Sequence, residues 1–113
     1  MIDSGFAIAS PGVPYVVRMT HHDLATFLAA SNAIYDAVIH RDVSGAWHVS
    51  IKSEQHGKEC LIETVNGEIR SWSGIANALN FINRNFPNAR EVFLDTAGRR
   101  RRHQADGTWG ECP

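Results

Sequence analysis

Between Asp36 and Trp72 apolar and polar residues alternate, and turn chemistry interrupts the alternation at Asp42 to Gly45 and at Asn66-Gly67. A period of two with such breaks commits the middle of the chain to antiparallel hairpins. In "DAVIHRDVSGAWHVSIKS", Val38 and His40 alternate with Ile39 and Arg41, and Trp47, Val49 and Ile51 alternate with His48 and Ser50. A four-residue turn there sets His40 opposite Trp47 and His48 opposite Ile39, which puts the two histidines on opposite faces. In "ECLIETVNGEIRSW", Asn66-Gly67 suits a two-residue type I′ turn with positive φ at both positions. That register faces Val65 with Glu68, Glu63 with Arg70 and Leu61 with Trp72.

The flanks change period. After a short β-favouring run, Tyr15 to Met19, Thr20 can cap a helix that carries Leu24, Phe27 and Leu28 on one stripe, with Asp23 in its first turn and Ser31-Asn32 at its end. A second helix follows Ser73, with Ile75, Ala78, Leu79, Ile82 and Phe86 as its apolar stripe and Pro87 as its stop. Its asparagines at 77, 80, 83 and 85 fall mostly on the other side and make a polar, uncharged surface. Arg90 to Asp95 reads as a last short strand. The expected fold class is therefore α+β: helix, four-stranded antiparallel meander, helix, short strand, with the helices on one face of the sheet. At 113 residues one core is expected. The expected division is an N-terminal arm over 1–14, a single α+β domain over 15–98 and a basic polar C-terminal tail over 99–113.

Charge is uneven. Residues 1–98 hold seven Lys/Arg against ten Asp/Glu, whereas residues 99–113 hold four Arg against Asp106 and Glu111. Any attraction for phosphate is thus expected at the C-terminus. Cys60 lies in a strand-like run and Cys112 in a polar segment, so both read as free thiols in a reducing cytoplasm. Residues 1–17 lack a basic start and are broken by Pro11 and Pro14, which does not fit a signal peptide. No apolar stretch approaches the roughly 20 residues a membrane helix needs, so no membrane partner is expected.

The sequence offers no catalytic constellation. His21 and His22 are adjacent and diverge on a helix; His40, His48, His56 and His103 show no ligand spacing, and Cys60 has no CxxC partner. The expectation is a protein that is not an enzyme, with no catalytic residues, no metal and no cofactor. Trp47 and Trp72 read as core. Trp109, in "DGTWGECP", is the candidate for docking on a partner or on its own domain. Arg99, Arg100, Arg101 and Arg102 are the candidate nucleic-acid contacts, since consecutive guanidiniums bind phosphates without sequence preference. Their alternative is a solvated tail, or one folded over Glu91 and Asp95.

The segments "VIHRDVSGAWHVSI", "CLIETVNGEIRSW" and "ALNFINRNFPNAREVFLD", within Ala37 to Asp95, resemble the ParC-like partition-associated small proteins of broad-host-range plasmids. That resemblance implies a small non-enzymatic protein of a mobile element, acting with DNA or a DNA-bound partner protein. Trp47 to Phe86 is similar in architecture to the three-strand-plus-helix DNA-binding domains of integrase arms and AP2 proteins. Here, however, Lys52, Lys58 and Arg70 are interspersed with Glu54, Glu59, Glu63 and Glu68, which counts against base readout. The first expectation is an accessory protein of a mobile genetic element that binds nucleic acid weakly or a DNA-bound partner. The alternative is a protein-interaction or self-associating module, including a homodimer, that uses an open sheet face or edge strand.

Overall fold

The computed structural model describes residues 16–55, 59–96 and 99–111. The expected arm over 1–14, His56, Lys58 and Cys112 lie outside them. The elements are β1 (Val16–Thr20), α1 (His21–Ser31), β2 (Tyr35–Arg41), β3 (Trp47–Ser53), β4 (Glu59–Glu63), α2 (Ile75–Asn85), β5 (Val92–Thr96), β6 (Arg99–His103) and β7 (Trp109–Glu111). They form one seven-stranded sheet in the order β1-β4-β3-β2-β5-β6-β7.

The class is α+β, but the four-stranded antiparallel meander is corrected to a mixed sheet. β2, β3 and β4 do meander. β1 then pairs parallel to β4, and β5 pairs parallel to β2. Parallel partners lie on either side of a helix in sequence, so alternation within a strand cannot announce them. The expected fourth strand, Glu68 to Trp72, is an irregular return held by isolated bridges, Glu63 with Ile69 and Trp47 with Trp72. Arg99 to Arg102, expected in a polar tail, form β6, which pairs with β5 and β7.

Three hairpin turns share one geometry. Asp42 N–H donates to Ala46 O, Thr64 N–H to Glu68 O and Gln104 N–H to Thr108 O, at 2.9, 2.7 and 2.9 Å. Each encloses three residues and ends on a glycine with positive φ: Gly45 at 92°, Gly67 at 86° and Gly107 at 89°. This is a turn closed by a left-handed glycine, the three-residue hairpin loop. The two-residue type I′ turn expected at Asn66-Gly67 is thereby overturned: among the described residues only Asn32, the C-cap of α1, is a non-glycine with positive φ. A loop of three residues where four were expected in the first hairpin, and where two were expected in the second, moves each register by one. His40 faces His48 and Ile39 faces Val49, so the two histidines share a face.

Thr20 caps α1 as expected, its hydroxyl accepting the Asp23 N–H at 3.2 Å. α2 starts instead at Gly74, without a side-chain cap. Both helices pack on one face of the sheet. Leu24 and Leu28 of α1, and Ala78, Phe81 and Ile82 of α2, join Ala37, Ile39, Val49, Ile51, Ile62 and Leu94 in a single core. Burial of these apolar side chains, at about 25 cal/mol per Å2, dominates what holds the layers together.

Candidate binding groove between the helices

α1 and α2 lie on the same face, and two clefts between them share Asn85. The upper cleft, about 440 Å3, is lined by His21, Arg70, Trp72, Phe81, Arg84 and the asparagines 77, 80 and 85. The lower, about 460 Å3, is bounded by Ala25, Leu28 and Ala29 of α1, Tyr35, and the Asn85 to Asn88 end of α2. Among the described residues neither lining contains an acid.

Arg70 is fixed by its backbone and by its side chain. Its N–H donates to Ile62 O at 2.9 Å, and its carbonyl accepts from His48 Nδ1 at 3.0 Å. His48 Nε2 in turn meets Asp42 Oδ2 at 2.6 Å. A carbonyl and a carboxylate only accept, so both contacts are hydrogen bonds when the His48 ring carries both protons. Asp42 also takes hydrogen bonds from Ser44 and Ala46. The bonds from Ser44 and His48 hold its carboxyl well below the usual carboxylate range. The Arg70 guanidinium carbon lies over both rings, 4.9 Å from the Phe81 centroid and 5.4 Å from that of Trp72. His21 meets Phe81 edge-on at 5.5 Å. Burial, and then the Arg70 charge, lower the His21 pKa.

The other arginines divide sharply. Arg18, Arg90 and all four of β6 have carboxylate partners: Glu63 for Arg18, Asp36 and Glu54 for Arg90, Glu111 for Arg99 and Arg101, Asp95 for Arg100 and Glu91 for Arg102. Among the described residues Arg41, Arg70 and Arg84 have no carboxylate within ion-pair distance. Two of these three line the upper cleft. The candidate phosphate contacts Arg99 to Arg102 are thus brought together, but against acids of their own sheet. Arg100 holds Asp95 through two bonds of 2.9 and 2.8 Å and stacks on Phe93. Trp109 is half-buried against the core, its ring 4.7 Å from that of His103.

On the helix-free face, His40 Nε2 lies 2.6 Å from Ser50 Oγ, and the Ser50 hydroxyl donates to Glu59 at 2.9 Å. His40 Nδ1 is 4.0 Å from Asp95. Burial lowers the His40 pKa, against the pull of Glu59 and Asp95. Ser50 is 0% exposed, and with its proton directed at Glu59 it is not aimed at a substrate. Among the described residues no three His, Cys, Asp or Glu side chains converge as metal ligands, and no helix is long and apolar enough to cross a membrane.

The sequence reading placed the asparagines on a polar face but did not see that they border a groove, and it left Phe81 out of the apolar stripe. The signal in the sequence is Phe81 flanked at helical spacing by Asn77, Arg84 and Asn85, an aromatic within a polar stripe. Comparison with known proteins returns nothing similar: no family model matches the chain, and neither a curated protein nor a solved structure does.

Proposed function

We propose that the chain is a non-enzymatic protein-interaction module that holds an extended segment of a partner in the groove between α1 and α2. The observation that carries this reading is the division of the arginines: the four of β6 share three carboxylates beside them, while among the described residues Arg70 and Arg84 line a groove that shows no acid and have no carboxylate partner. Side-chain amides along α2 add donors and acceptors that match a peptide backbone. A cytoplasmic setting fits the buried free thiol of Cys60, whose pKa burial pushes up to about 11.

A second reading, an accessory protein of a mobile element that binds nucleic acid or a DNA-bound partner through Arg99 to Arg102, draws on the exposure of Arg100 and Arg102. It requires a phosphate to displace Asp95 and Glu91, and it predicts a log-log salt slope of about −0.9 per phosphate neutralised. Selection of random displayed peptides on the purified protein, beside a salt titration on unrelated duplexes, separates the two. The first reading expects peptides whose binding is lost on both Ala29→Arg and Asn80→Arg, which fill the groove, and no duplex binding at about 150 mM salt. Duplex binding abolished by replacing Arg99 to Arg102 with Ala, together with no groove-dependent peptide, would overturn it.

A further inference from the structure

We infer that the upper cleft is a carboxylate clamp, so that the segment this groove takes is acidic. The inference rests on the interaction reading above and adds the chemistry of the partner. A guanidinium normally loses rotamer freedom when it binds an anion. Arg70 has much of that freedom removed beforehand: its backbone carbonyl is tied to His48, and its guanidinium carbon lies over the rings of Trp72 and Phe81. No acceptor among the described residues takes its N–H groups, the donors that meet a carboxylate in a two-bond fork. Arg84, on the same wall, adds a second positive charge without a carboxylate partner among the described residues.

The same stacking argues against a nucleobase. Trp72 and Phe81 are engaged with each other, at 4.7 Å between centroids, and with Arg70. Little aromatic surface is left for a base to stack on. A bare anion leaves the rest of the groove unexplained. Below the clamp the asparagine amides can bond an extended backbone. The lower cleft then offers Asn32, Asn85 and Asn88 beside Ala25 and Ala29, amide and small side chains that continue a path for an extended backbone.

The test is calorimetric titration of the full chain with a capped peptide of glycine and serine that carries two adjacent glutamates. Measurable binding is expected. Replacing both glutamates by glutamine should weaken it at least about tenfold, the scale of a charged hydrogen bond. Arg70→Lys keeps the charge and loses the fork, and should cost about tenfold; Arg84→Gln, at an exposed site that does not threaten folding, should weaken binding severalfold. Arg41→Ala, which removes the arginine outside the cleft that has no carboxylate partner among the described residues, should change nothing. If library selection yields groove-dependent peptides but the glutamate and glutamine peptides bind alike, the clamp is overturned and the interaction reading stands. If neither peptide binds and the library yields nothing, both fall. Displacement of the peptide by micromolar inorganic phosphate would overturn the carboxylate in favour of a phosphorylated partner, and displacement by duplex DNA would overturn the protein partner.

Discussion

At the residue scale the site depends on side chains that touch no ligand. Asp42 and His48 sit at the mouth of the first hairpin and fix the backbone of Arg70 across the sheet. Because hydrogen bonds depress the Asp42 pKa in the folded protein, its contribution to stability is present above the unfolded carboxylate value, about 3.9, and is lost as pH falls below it. Asp42→Asn should therefore lower the melting temperature at pH 7, and the gap to wild type should close as the pH is taken below about 4. A gap independent of pH would show that the charge of Asp42 does not matter. None of this was legible in the sequence, where Arg70 stands among glutamates and the register left its facing residues off by one. Phe81 escaped for a related reason. It is 8% exposed, yet it lies at the border of the stripe, buried between Trp72 and Phe86 rather than under the helix axis.

At the scale of elements, most helices and strands were legible because each carries its own period, and Thr20 and Pro87 mark helix ends by local chemistry. Turn type was not, since Asn-Gly and Ser-Gly suit both two-residue and three-residue loops; only the pairing of Thr64 with Glu68 decides. The distinction makes a prediction. Gly67→Val should cost on the order of 1 kcal/mol or more, because a β-branched residue at positive φ is strained, whereas Asn66→Ala should cost only a few tenths. Urea unfolding of the two variants measures both, and equal large losses would restore the type I′ turn. β6 was illegible for a different reason. Its ladder is built from arginines whose cross-strand partners are Phe93 and Asp95 on one side and Gly110 and Glu111 on the other. Ion pairs and stacking there replace the apolar alternation that identifies a strand.

At the scale of the whole molecule, β6 and β7 continue the sheet past β5, where an independent tail was expected, and this changes what truncation should do. Deleting residues 97–113 would bare the β5 edge, with Phe93, Leu94, Asp95 and Thr96 unpaired on that side. An exposed strand edge pairs with other chains, so size-exclusion chromatography should show association of the truncated chain at concentrations where the full chain does not associate. Truncation without consequence would return β6 and β7 to the status of a tail. With the basic cluster built into the sheet and largely paired there, the groove between the helices is where two arginines without carboxylate partners among the described residues come together. Titration of the isotopically labelled full chain with the acidic peptide, followed by amide NMR, tests this most directly. The account predicts shifts concentrated at His21, Arg70, Asn77, Asn80, Phe81 and Arg84. Shifts concentrated on β6, or on Val38, Ser50 and Leu61 of the opposite face, would contradict it.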